Sequence, residues 1–109
     1  MTEAEIKAML EESNIPVFRG HAPIGESVPY MIYHVTYPEN MGADNITYYK
    51  IPQVTVDLYQ TAPSLELWES IENILTENEL SWSSDEVDME DEGLFIKYYY
   101  FGGLSNGRE

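Results

Sequence analysis

The sequence predicts an α+β domain. It reads as a two-layer sandwich of a mainly antiparallel sheet, about four to five strands, with two helices on one face, in the order α-β-β-β-α-β-β. Three observations carry this prediction. Two stretches place apolar residues at helical spacing, several others alternate or run in β-branched and aromatic residues, and short Gly-, Pro- and Asn-containing segments separate them. At 109 residues the chain suits one domain. That domain is read as residues 1–101, with residues 102–109, "GGLSNGRE", as a flexible tail.

The first helix starts at a T-x-x-E capping box, Thr2 with Glu5, followed by Ile6, Met9 and Leu10. It is expected to end near Ser13-Asn14, before Pro16 forces Ile15 into an extended conformation. "IPVFR" reads as a short strand and residues 20–28, "GHAPIGESV", as a loop. "YMIYHVTY" (30–37) is a strand with apolar residues on both faces, and "PENMGADN" is a turn-rich excursion. A longer strand is expected from about Ile46 to Tyr59, bent at Pro52. Its second half alternates cleanly, with Val54, Val56 and Leu58 on one side and Thr55, Asp57 and Tyr59 on the other.

After Pro63-Ser64, the residues Leu67, Trp68, Ile71, Ile74 and Leu75 form one helical stripe. Glu66 and Glu69 lie on the opposite side with no base four residues on, so that face is bare negative surface. Trp82 to Met89 and Leu94 to Phe101 read as a hairpin turning around Asp91-Glu92-Gly93. Leu94, Ile96, Tyr98 and Tyr100 share one face of its second strand. Phe95, Lys97, Tyr99 and Phe101 share the other. The hairpin carries six carboxylates in eight positions: Asp85, Glu86, Asp88, Glu90, Asp91 and Glu92.

Net charge is −15, and 12 of the 20 acids fall after residue 60. Nucleic-acid binding through phosphate neutralisation needs Lys and Arg, of which there are five, and an anionic membrane surface needs them equally. With no cysteine there is no disulfide or thiolate metal site. The N-terminus lacks a basic-then-apolar leader and no apolar run reaches 18 residues, so a cytoplasmic protein without membrane contact is expected.

Motifs of chemistry fail one by one. Asp88, Glu90, Glu92 and Gly93 sit at EF-hand positions 1, 3, 5 and 6, but the bidentate Glu of position 12 is Tyr99 and no helix flanks the segment. "GLSNG" (103–107) fits a nucleophile elbow without the helix that must follow it. "NIT" (45–47) fits a glycosylation sequon but has no leader beside it. His21 and His34 have no second ligand at metal spacing. No enzyme, metal or cofactor is expected. Nine tyrosines in a small sheet with helices on one side point instead to an aromatic interface, with Tyr49, Tyr59 and Tyr99 as its candidate residues.

Three stretches carry a family resemblance: "IPVFRGHAPIGESVPYMIYHVTY", "ADNITYYKIPQVTVDLYQTAPSLELWESIENIL" and "GLFIKYYYF". A short strand and Gly/Pro loop lead into an apolar strand. A D-N-x-x-Y-Y-K segment then enters the V-x-V-D-L-Y strand, and an amphipathic helix follows. In this the chain resembles the tail-terminator or tail-completion (neck) proteins of long-tailed phages and prophages of Gram-positive bacteria.

The resemblance implies a homo-oligomeric ring, expected to be hexameric. Such a ring caps the tail tube, meets tail-tube and neck proteins, and lets DNA pass without specific binding. It also implies residence in the host cytoplasm during assembly and then in the virion tail. The acids Glu66, Glu69, Asp85, Glu86, Asp88, Glu90, Asp91 and Glu92 are the candidates to line the lumen or meet a partner, since like charge denies DNA a binding site. Two other readings stand beside it. One is an acidic inhibitor that imitates DNA. The other is an adaptor that adds a peptide strand to an open sheet edge.

Overall fold

The computed structural model describes residues 2–36 and 53–102. The first helix, α1 (Glu3–Glu11), begins at the predicted capping box. The Thr2 hydroxyl accepts from the Glu5 N–H at 3.2 Å, and the Glu5 carboxylate accepts from the Thr2 N–H at 2.8 Å. Two of the donors orphaned at the helix start are thereby satisfied. The chain leaves the helix through Asn14 at φ 66°, a left-handed conformation that Asn tolerates better than most residues.

Strand β1 (Val17–Arg19) follows, then β2 (Tyr30–Thr36), and the two pair in parallel, Val17 opposite Met31. The rest of the sheet is antiparallel. The parallel pair is possible because β1 spans only three residues, about 10 Å, whereas the ten-residue loop at 20–29 reaches up to about 33 Å and carries the chain back to the start of β2.

Strand β3 (Gln53–Gln60) pairs antiparallel with β2, Tyr33 opposite Val56. The expected beginning of this strand near Ile46, the bend at Pro52, the excursion after residue 36 and Tyr49 lie outside the described residues. Helix α2 (Leu65–Glu77) starts at Ser64, whose hydroxyl accepts from the Leu67 N–H at 3.3 Å. Strands β4 (Trp82–Met89) and β5 (Leu94–Gly102) form the predicted hairpin. Its turn is a 3-10 segment, Glu90–Glu92, closed by Gly93 at φ 67°. That positive φ is open to Gly at no steric cost.

The strand order is β1-β2-β3-β5-β4, so β5 lies between β3 and β4, and β4 is an edge. Gly102, the last residue of β5, pairs with Gln53 inside the sheet. Residues 103–109 of the expected tail lie outside the described residues.

Both helices cover the same face. Ile6, Met9 and Leu10 of α1 and Ile71, Ile74 and Leu75 of α2 are buried in one cluster with Val17, Met31, Tyr33, Val54, Val56 and Leu58. The two-layer α+β sandwich expected from the sequence is the observed fold.

Tyr99 belongs to this core as well, which corrects its reading as an interface residue. It is 0 % exposed, its ring meets Trp82 edge-on at 5.8 Å, and its hydroxyl donates to a Glu72 carboxylate oxygen at 2.9 Å. The cause is register: Tyr99 lies opposite Val56, whose side chain points at the helices. Lys97 shares that face and is 6 % exposed. Its ammonium reaches Glu86 at 3.1 Å and lies over the Trp68 ring at 4.2 Å, so the buried charge is paired.

Candidate functional site: an aromatic sheet face

Strand alternation fixes what faces away from the helices. Phe18 on β1, Tyr30, Ile32 and His34 on β2, Thr55, Asp57 and Tyr59 on β3, and Ile96, Tyr98 and Tyr100 on β5 share that side. No described element lies over it. Ring contacts gather the aromatic residues into two groups, Phe18–Tyr30–Tyr59 across three strands and Tyr98–Tyr100 along β5. Phe18 meets Tyr30 edge-on at 6.1 Å, Tyr30 stacks on Tyr59 at 5.1 Å with an interplanar angle of 23°, and Tyr98 stacks beside Tyr100 at 6.5 Å and 16°. Beneath the rings Ile32 and Ile96 are 7 % and 4 % exposed, although neither belongs to the cluster under the helices. The sheet therefore carries a second, thinner apolar layer. On this side Tyr100 remains 39 % exposed and Val87, on β4, 41 %.

One carboxylate lies in the middle of that layer. Asp57 is flanked across the sheet by Ile32 on one side and Tyr98 on the other. Its side chain is only 13 % exposed. Burial raises its pKa above the ordinary 3.8, and the neighbouring His34 pulls it back. His34 Nε2 lies 3.4 Å from Asp57 Oδ2, an ion pair only when the imidazole is protonated. The Tyr59 and Tyr98 hydroxyls are raised above their ordinary 10, first by burial and next by the Asp57 charge. Among the described residues, the strand positions on this face hold no Lys or Arg.

Of the three interface candidates, Tyr59 lies on this face, Tyr99 lies in the core and Tyr49 is outside the described residues. Phe18, Tyr30, Ile32, Asp57, Tyr98 and Tyr100 belong to it without having been singled out. The signal for Tyr98 and Tyr100 was present in the alternation of β5. For Asp57 it was the polar register of β3, which says nothing of Ile32 and Tyr98, set beside it by β2 and β5.

The eight candidate acids do not form one surface. Asp85 lies on the open face opposite Tyr98, while Glu86 and Asp88 point to the helix side, opposite Lys97 and Phe95. Glu86 is held by Lys97 and so is partly committed within the chain. Glu90, Asp91 and Glu92 form the exposed hairpin turn, and Glu66 and Glu69 lie on the exposed side of α2. Among the described residues no three His, Cys, Asp or Glu side chains converge as a metal site, and no helix is long and apolar enough to cross a membrane. No protein-family model and no curated protein matches the chain.

Proposed function

We propose that this protein is a structural subunit that acts by docking, of the tail-terminator or head–tail joining type, and not an enzyme. The observation that carries the reading is the aromatic sheet face over which no described element lies. A monomeric domain rarely leaves a contiguous ring-rich sheet face open to water, and such faces mark contact surfaces. The sequence resemblance supplies the kind of assembly: a ring, expected to be hexameric, that closes the tail tube, contacts neck proteins and passes DNA. Assembly then takes place in the host cytoplasm and the product resides in the virion tail.

The acidic surface fits such a role. Negative charge around a channel gives DNA no place to adhere. It also opposes self-association, because six subunits at −15 each repel at every distance shorter than the screening length, about 8 Å at physiological salt. The free protein is therefore expected to be monomeric at low salt and to form rings with added salt, magnesium or a tail tube as template.

Light scattering at low and high salt with magnesium, beside negative-stain microscopy, tests this. Rings of about six subunits support the proposal. A strict monomer in every condition that also fails to bind purified tail tubes overturns it.

A further inference from the structure

The open face has a chemistry more specific than apolarity. A carboxylate that is 13 % exposed lies between Ile32 and Tyr98 and two residues before Tyr59, and among the described residues the one group within ion-pair distance of it is an imidazole that is charged only when protonated. A half-buried carboxylate gains most from a permanent cation with several N–H donors. Tyrosine ring faces flanking such a site favour a planar cation, since a guanidinium stacks on an aromatic face while donating in its own plane.

We infer that the occupant of this face is a folded partner protein unlike this chain, which sets an arginine guanidinium against the Asp57 carboxylate, beside the rings of Tyr59 and Tyr98. The inference rests on the reading of the face as a docking surface and narrows it. Charge complementarity decides between the partners. If two copies met face to face, a surface carrying Asp57 and Asp85 would meet the same surface of the other, with no Lys or Arg from any described strand position on it. The described cations are committed elsewhere: Lys7 to Glu11, Arg19 to Glu3 and Lys97 to Glu86. A basic partner reverses the sign of that meeting. His34, 45 % exposed at the edge of the pocket, yields its place to the incoming guanidinium.

The test is a two-dimensional NMR titration of the full chain with N-acetylarginine methylamide, with the lysine and alanine analogues as controls. Saturable shifts centred on Asp57, Tyr59 and Tyr98 are expected, with arginine binding several-fold more tightly than lysine. Asp57→Asn should weaken arginine binding about tenfold, the loss of one charge-assisted contact. Should that variant fail to fold, Tyr98→Leu keeps the carboxylate and removes a ring, and it should erase the preference for arginine over lysine.

Shifts confined to residues 85–92, or an Asp57→Asn variant that binds arginine as the wild type does, overturn the inference. Face resonances that change on dilution and ignore the probe make a second copy the occupant. That result overturns the inference and leaves the assembly reading standing. Arginine binding at Asp57 in a chain that forms no ring and binds no tail tube does the reverse.

Discussion

Replacing Tyr99 by Phe separates a core tyrosine from an interface tyrosine. The ring is fully buried and contacts Trp82, and Phe preserves both features; what is lost is one hydrogen bond, from the hydroxyl to the Glu72 carboxylate at 2.9 Å. Hydrogen bonds to ionised groups contribute about 1.5–3 kcal/mol. Glu72 is half-buried, so water replaces part of what it loses, and the lower end applies: about 1.5 kcal/mol, or roughly 7 °C in Tm for a domain of this size.

Urea unfolding followed by tryptophan fluorescence measures the difference at pH 7. The pH dependence adds a second signature. Burial first, and then the bond to Glu72, hold the Tyr99 hydroxyl far above its ordinary pKa of 10. The stability this contributes is fully present below pH 10 and is lost as pH climbs toward the folded-state value, because the unfolded chain ionises first. The gap between wild type and Tyr99→Phe should therefore shrink above pH 10. A variant within about 0.5 kcal/mol of wild type at pH 7, below what even an ordinary neutral hydrogen bond contributes, refutes this account of Tyr99. A variant that changes the mass in solution without changing stability would return Tyr99 to an interface.

Three further outcomes are expected. Asp57 has a raised folded-state pKa, so its favourable contribution is complete below pH 3.8 and is lost as pH rises through the folded value. In urea titrations from pH 3 to 7, Asp57→Asn should therefore gain stability relative to wild type as pH increases. Lys97→Met keeps a flexible stem against Trp68 and leaves half-exposed Glu86 to water, so it should alter stability by less than about 1 kcal/mol; Lys97→Ala also removes the packing and should cost about 2 kcal/mol or more by the same assay. Glu79 holds φ 61° just after α2, where a non-glycine residue costs about 1–2 kcal/mol. Glu79→Gly, after the entropy of the more flexible unfolded chain, should raise Tm by a few degrees in a thermal scan.

Local signals were legible where local physics decides. Thr2 with Glu5, Ser64 ahead of the Leu67–Leu75 stripe, and Gly93 in the hairpin turn each satisfy a constraint within a few residues, and each appears where expected. The side of a strand that meets the helices is settled by distant residues. The partition of β5 into the Tyr98 set and the Tyr99 set was correct, yet which set is buried was not readable from it. Lys97 misleads here, since a lysine ordinarily marks the wet side. Burial of its stem under Trp68 and pairing with Glu86 let it lie inside. The parallel pairing of β1 was hidden for a related reason: nothing in three residues records direction. Asp57 was read as one polar position in an alternating strand. It became the centre of a candidate site only because β2 and β5 set Ile32 and Tyr98 against it.

The placement of charge lets one variable separate the assembly contacts. A DNA-imitating surface needs its carboxylates on one side at regular intervals, whereas here Asp85, Asp88, the Glu90–Glu92 turn and the Glu66/Glu69 side of α2 point in different directions. Most of this charge lies away from the open face, which itself carries only Asp57 and Asp85 against His34 among the described strand positions. Contacts between copies are then dominated by repulsion of −15 against −15, and screening it should strengthen them. A contact between the open face and a basic chain has the opposite sign: screening weakens attraction, and chiefly slows association. Raising ionic strength from about 20 to 500 mM should thus favour rings while loosening an arginine-bearing partner, each over Debye lengths of roughly 20 down to 4 Å. Two contacts that respond to salt in the same direction cannot both have the electrostatics assigned to them here.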